Sequence, residues 1–474
     1  MREDDDRLPT AERAFEQALH DHLNGDWPAA QAKYHALLAA EPTHAGALHF
    51  LGVLLHQQGD LDEGRALVQR SLQLAPQHAD WHNTWGNMLA AQRRDDDAAA
   101  AFMEALQRDA RNADAWNNLG AVLLRTGRAQ DAVTALRNAV ELRPAFRAAH
   151  QHLSEAYREL GDARSAALSA CAEYVLRPKE ATLRDMLGIA YAQLGLHDEA
   201  AGVYAAWLKD EPGHPVASHL LQACRGQADG DRVPADFLQH YFDGYAESFE
   251  SKLVDGLEYS VPQALQRLLA DRAVAAHSLR VLDAGCGTGL CGVQLRPFAA
   301  HLSGVDLSGK SLERARMKAV YDSLHQQDIV EHLRALPPSC CDLIVAADVL
   351  IYFGDLAPFM AAAHAALAPG GLLMATTETL RGADAVMEGQ ALPGPQVPQV
   401  PSGLEVRNAG ASSAPHHRPG FALQASGGYG HDDGYVLRTS SAAGFTVDTA
   451  APLALRSELA RPVAGLLVVA RKTG

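Results

Sequence analysis

Residues 280–292 read RVLDAGCGTGLCG. Val281 and Leu282 end an apolar run that starts at Leu279, and Gly285, Gly287 and Gly289 follow at alternate positions. That pattern predicts a buried strand turning tightly into a helix, because glycine accepts φ > 0 and lets the backbone come close to a ligand. The N-terminus of the helix favours a negative group. A dinucleotide fold places GxGxxG at such a turn. Here the third glycine arrives one residue early and Leu290 stands where that pattern wants Gly or Ala, which weakens a nicotinamide reading.

Beyond this loop, HLSGVDLSGKSLERAR (301–316) predicts a second strand ending at Asp306 and then a helix. A carboxylate at the tip of the second strand, beside the first loop, is placed to accept both hydroxyls of a ribose. Asp328, in HQQDIV, ends the next short strand. CDLIVAADVL (341–350) reads as a fourth strand and GGLLMATTE (370–378) as a fifth, with a helix from Leu356 to Ala368 between them. Strand and helix alternate throughout, which predicts a doubly wound, Rossmann-like α/β sheet with its ligand at the carboxyl ends.

The N-terminal half has a different order. Pro42, Pro76, Pro144, Pro178 and Pro212 keep a 34-residue register in which only Ala110 departs. Gly52, Gly86, Gly120 and Gly188 keep the same step with Ser154 in the gap, as do Gly25, Gly59, Gly127, Gly161 and Gly195 with Arg93 in the gap. Small residues recur at Ala30, Gly64, Ala98, Ala132, Ala166 and Ala200, where a second helix would cross the first. A close-approach glycine, a helix-ending glycine and a helix-stopping proline together describe a helix hairpin. Apolar residues such as Leu48, Leu51 and Leu55 bury one face of each helix.

This half resembles the tetratricopeptide repeat family, an all-α solenoid, in six copies from about Thr10 to Pro212. The resemblance implies a concave surface that grips a peptide or protein; an array that only scaffolds or dimerises is the other reading. Asn83, Asn117 and Asn118, with His82 and Arg147, are candidate gripping side chains or a solvated face. Pro215 to Cys224 reads as a capping helix that completes an array over 10–224, residues 225–233 as a linker, and 234–474 as the second domain.

The second domain resembles the class I S-adenosylmethionine-dependent methyltransferases through DAGCGTG, VDLS, DLIVAADVLIYFGDL and LAPGGLL, in order. The resemblance implies a seven-stranded sheet whose last strand, LLVVAR, inserts antiparallel. It implies that Gly285, Gly287 and Gly289 lie against the methionine portion of S-adenosylmethionine, that Asp283 orients its amino group and that Asp306 holds the ribose. Asp328 and Ile329 would frame the adenine, with Cys286 and Leu307 as further cofactor-binding positions, and Asp348 would face the transferable methyl. The pairing of repeats with this domain is similar to a bacterial group of tetratricopeptide methyltransferases. The same group has an aromatic lead-in, here HYFDGYAESFESKLVDGLEYSVP (240–262). In it Tyr245 is either a lid over the cofactor or core, while Phe242, Phe249 and Tyr259 read as core.

Methyl transfer rests chiefly on alignment, and a base is needed only for a protonated acceptor. His431, in GGYGHDDGYV, and Tyr352 are the candidate bases, although such a His is more often on the surface. A carboxylate capping a turn would also account for Asp348. The stretch FALQASGGYGHDDGYV (421–436) lacks the arginine that the family resemblance leads one to expect near Gly428.

A net charge of −16 argues against nucleic acid or anionic lipid as a partner. Acceptor motifs for bases are missing, which leaves a protein or a small molecule. Six scattered cysteines predict neither disulfides nor a metal site. With no apolar run of about 18 residues and an acidic start, the chain reads as cytoplasmic. The Pro- and Gly-rich insertion 381–420, with His416 and His417, reads as disorder or a substrate flap. The expected function is methyl transfer with protein binding on the repeats; the alternative is an inert cofactor-binding scaffold.

Overall fold

The 34-residue step folds as helix hairpins in the computed structural model, which describes residues 10–227, 230–247, 250, 259–380, 420–458 and 461–473. Phe249 and the insertion 381–420, apart from Gly420, lie outside the described residues, and so do His416 and His417. The described chain divides into two units, one ending at Leu176 and the other beginning at Arg177.

The first unit pairs α1 (Thr10–Leu23) with α2 (Trp27–Ala40), α3 (Ala45–Gln58) with α4 (Leu61–Leu74), and α5 (Ala79–Ala91) with α6 (Asp95–Arg108). Then come α7 (Ala113–Arg125) with α8 (Ala129–Leu142) and α9 (Arg147–Glu159) with α10 (Ala163–Val175). Side-chain acceptors start several of these helices: Asp26, Asn112 and Asp162 each take the N–H three residues on. Within α3 and α4 the backbones nearly touch, since a Cβ on Gly52 would stand 2.6 Å from the Gly64 carbonyl. Asn118 donates to Asn83 (3.1 Å) and Asn87 (3.0 Å), and Asn117 meets His152 at 3.1 Å. The polar step seen in the sequence therefore bonds one repeat to the next.

The second unit opens with α11 (Arg184–Gln193), α12 (His197–Asp210) and α13 (Pro215–Cys224), which continue the register. It goes on with α14 (Ala235–Tyr245), α15 (Val261–Asp271), β1 (Leu279–Ala284), α16 (Leu290–Leu295), β2 (Ala299–Asp306), α17 (Gly309–Met317), β3 (Ser323–Gln326), α18 (Ile329–Ala335) and β4 (Cys341–Ala346). It closes with α19 (Ala357–Ala366), β5 (Leu367–Thr379), β6 (Phe421–Leu423), β7 (Tyr429–His431), α20 (Asp433–Ala442), β8 (Phe445–Glu458) and β9 (Arg461–Lys472).

Strands β3, β2, β1, β4 and β5 lie side by side and parallel; β9 adds antiparallel to β5, and β8 pairs with β9. The short hairpin of β6 and β7 joins the end of β5 and adds two strands to the seven expected. The central strands are apolar on both faces because both are covered. Leu282, Ile344 and Ala346 face a core with α18, α19 and α20, and Val281, Leu343 and Val345 face one with α15 and α16.

The end of the expected linker is packed structure. Arg232 forms an antiparallel bridge with Phe353, the Val233 N–H donates to the Tyr352 carbonyl at 2.9 Å, and the Asp231 carbonyl accepts from Gly354 at 2.8 Å. Val233 is buried because it completes an apolar cluster with Tyr204, Leu220, Phe237 and Tyr429. A polar, Gly-rich composition concealed this one apolar anchor.

Candidate functional site

The glycine loop leaves β1 with Gly285, Gly287 and Gly289 at φ of 77°, 51° and 89°. A Cβ on Gly285 would strike Val349, whereas one on Gly287 would meet nothing within 4 Å. Gly285 thus serves packing, and Gly287 presents an open backbone face. Asp306 locks this loop to the tip of β2: its Oδ2 accepts the Gly287 N–H at 2.9 Å and its Oδ1 the Ser308 N–H at 2.8 Å. Burial still holds its carboxyl above the usual range, against the lowering by those N–H groups. Leu307, next in the chain, is half-buried against the cluster of Phe237 and Tyr352.

Asp283 is buried at the end of β1, and burial pushes its carboxyl up to about 7 although the Tyr321 hydroxyl donates to it at 2.6 Å. Tyr321 escaped the sequence reading, since it follows α17 in a stretch without a motif. The buried thiol of Cys286 is pushed well up by desolvation, so it offers bulk and not a nucleophile. Asp328 is engaged within the chain: its Oδ1 caps α18 through the Val330 and Glu331 N–H groups, and its Oδ2 pairs with Arg232. Burial would raise its carboxyl, but Arg232 and those N–H groups hold it below the usual range. Ile329 is buried in the core.

Asp348 lies just past β4 with φ of 55°. Its N–H donates to Thr376 Oγ1 at 2.8 Å, and its carboxylate meets Arg456 Nη1 at 3.2 Å. The carboxylate is thus held by an ion pair. Arg456 also binds Glu378 and Glu458, at 3.1 and 2.8 Å. The segment 421–436 carries no arginine, but β8 brings Arg456 to the carboxyl edge of the sheet. A register shift between Ala454 and Ser457 re-aims the strand there. An arginine directly after the apolar run PLAL (452–455) was the one signal.

The two candidate bases are placed differently from expectation. His431 is not on the surface: it is fully buried in β7 and donates from Nε2 to the Phe353 carbonyl at 2.8 Å. Burial lowers its pKa to about 4, so it stays neutral as part of the support beneath the site. Tyr352 is half-buried edge-on against Phe242, and burial and Asp348 hold its phenol well above its ordinary value. It is therefore held in its protonated form at neutral pH.

Tyr245, half-buried, donates to Asp185 Oδ2 of α11 at 2.7 Å and is committed to the last repeat helices. The same segment reaches the cleft through its acids. Asp243 accepts from the Ser308 hydroxyl at 2.6 Å, and Glu250 pairs with Lys318 at 2.9 Å.

Comparison with known proteins agrees with this geometry. A family model described as "Methyltransferase domain" matches residues 282–375, and one described as "Tetratricopeptide repeat" matches residues 24–79, 83–145 and 122–181. A ubiquinone biosynthesis O-methyltransferase of Methylocella silvestris is 34% identical over 103 residues, 21% of this chain and 40% of that protein. One of Xylella fastidiosa is 30% identical over 154 residues, 31% of this chain and 62% of that protein. The chain thus spans roughly half the length of these relatives. A structure described as "Functional Characterization of Pseudomonas Aeruginosa pilF" has a TM-score of 0.35 at 17% identity, over 43% of this chain and 92% of that one. With repeats over residues 24–181 and this sheet behind the glycine loop, the chain is a tetratricopeptide-repeat protein joined to a methyltransferase domain.

Proposed function

We propose that the chain transfers a methyl group from S-adenosylmethionine to a protein or small-molecule acceptor, and that its repeats hold a protein. One observation carries the reading: the open backbone face at Gly287 is tied directly to the Asp306 carboxylate at the tip of the next strand. Each carboxylate oxygen of Asp306 accepts one N–H and keeps a further acceptor direction, so it can still take ribose hydroxyls. Asp283 sits where an ammonium would draw off its proton. When bound, the donor supplies a methyl on a cationic sulfur. The buried acids around the strand tips favour that charge, and the loop and Tyr321 hold Asp283 and Asp306 in place before binding.

Asp348, at the tip of β4, stands on the acceptor side. His431 and Tyr352 support the walls and take no proton in this reading. The reading places the chain in the cytoplasm, as the scattered cysteines of its sequence lead one to expect. Among the described residues no helix is long and apolar enough to cross a membrane. Calorimetric titration of the full chain with S-adenosylmethionine and S-adenosylhomocysteine tests the function. Binding of both, lost in a folded Asp306→Ala variant, is expected. A folded wild type that binds neither would leave an inert scaffold as the function.

A further inference from the structure

Arg456 is the hub of a buried charged group at the carboxyl edge of the sheet. Its Nη1 donates to Asp348 Oδ1 at 3.2 Å, its Nη2 to Glu378 Oε2 at 3.1 Å and its Nε to Glu458 Oε1 at 2.8 Å. The side chains of Arg456 and Glu378 are 9% and 7% exposed, and those of Asp348 and Glu458 are 15% and 38%. The group is therefore withdrawn from water but open on the side of Glu458. One guanidinium faces three carboxylates, so two negative charges lack a counterion. Such an excess is relieved by protons or by a cation from outside. Burial does hold the Asp348 and Glu378 carboxyls above their usual range even with Arg456 beside them.

A second observation points into the same space. Tyr259 is only 7% exposed, and its phenol lies in the field of Asp348, Asp283 and Arg456. No described residue meets its hydroxyl in a hydrogen bond. In the field of the acids at the tips of β1 and β4, its hydroxyl is a polar group that a ligand can meet. Tyr352 and Tyr241, partly buried in one cluster, stand in the field of the same charges, one of Asp348 and Arg456, the other of Glu458 and Arg456. Aromatic faces beside carboxylates favour a cation.

We propose that Asp348, Glu378, Glu458 and Tyr259 form the acceptor site and that the acceptor is a cationic nitrogen, an ammonium or guanidinium. The inference rests on the methyl-transfer reading and names its substrate class. A carboxylate acceptor would find every guanidinium nitrogen of Arg456 already bound to an acid. A neutral hydroxyl would leave the excess charge to protons alone. The nitrogen's proton passes to the Asp348 or Glu378 carboxylate, and the freed lone pair attacks the methyl carbon. The carbon–sulfur bond breaks with its electron pair returning to sulfur, and the carboxyl proton leaves to solvent. Nitrogen is cationic before and after, and the released proton balances the charge lost at sulfur.

The test is calorimetry on the full chain saturated with S-adenosylhomocysteine, using three probes of similar size: phenethylamine, 4-ethylphenol and 3-phenylpropionate. Phenethylamine is expected to bind at least about tenfold more tightly than the others. That preference should fall several-fold in Glu458→Gln, whose side chain is the most exposed of the four charged residues, and in the near-isosteric Tyr259→Phe. If S-adenosylhomocysteine itself does not bind, the methyl-transfer reading falls and the acceptor site with it. If it binds, but the phenol or the carboxylate binds best or no probe binds at millimolar concentration, the acceptor inference alone is overturned.

Discussion

Burial keeps the Asp283 carboxyl near 7, well above the usual aspartate range, even though Tyr321 donates to it. A carboxyl whose pKa is raised by folding contributes stability below its unfolded pKa and loses it as pH rises through the folded one. The ligand-free second unit is therefore expected to lose stability between about pH 4 and pH 7, with Asp306, Asp348 and Glu378 acting in the same direction. Urea midpoints at pH 5 and pH 8 measure it, and Asp283→Asn should flatten the slope. Binding of a donor ammonium has the opposite sign, because it favours the ionised carboxylate. Affinity should rise with pH through about 7 and binding should release protons, which calorimetry in buffers of different ionisation enthalpy would detect. Tyr321→Phe should weaken binding at neutral pH, because it removes the donor that favours the ionised Asp283, and should cost roughly 1–3 kcal/mol of stability.

Helix pairs in the repeats depend on two kinds of position. At Gly52 a Cβ would stand 2.6 Å from the Gly64 carbonyl, a backbone atom that cannot swing aside. Gly52→Ala should force α3 and α4 apart and cost several kcal/mol. Gly59→Ala, where φ is 102° and the space is open, should cost only about 1–2 kcal/mol. Arg93 occupies that same column of helix-ending glycines and has φ of 61°. Arg93→Gly is therefore expected to stabilise the first unit by about 1 kcal/mol, read as a higher midpoint in thermal unfolding.

The last helices of the repeat register are part of the second unit's core. His219 of α13 donates to the Gly427 carbonyl at 2.7 Å, Tyr245 binds Asp185, and Tyr204, Val216 and Leu220 cluster with Phe237, Phe421 and Tyr429. A chain beginning at Arg177 is expected to unfold cooperatively and to bind S-adenosylhomocysteine as the full chain does. One beginning at Pro234 would expose Phe237 and Tyr429 and should aggregate or bind a hydrophobic dye. Equal stability of the two truncated chains would count against a shared core.

The repeats and the order of strands could be read from residues alone because both are local patterns. A 34-residue step in glycine and proline records how each hairpin closes, and strands buried on both faces are apolar wherever they occur. The glycine loop, Asp283 and Asp306 were visible for the same reason, being bound to one strand and its turn. Arg456, Tyr321 and Tyr259 were not. They come from separate segments, and Arg456 reaches Asp348 only because β9 lies antiparallel to β5, β8 pairs with β9, and the ladder shifts register between Ala454 and Ser457. The burial of His431 and Tyr352 was not legible either, because a residue's protonation depends on what surrounds it. Local patterns specify which elements form, while burial and charge at a cleft are properties of segments brought together, and these depend on folding.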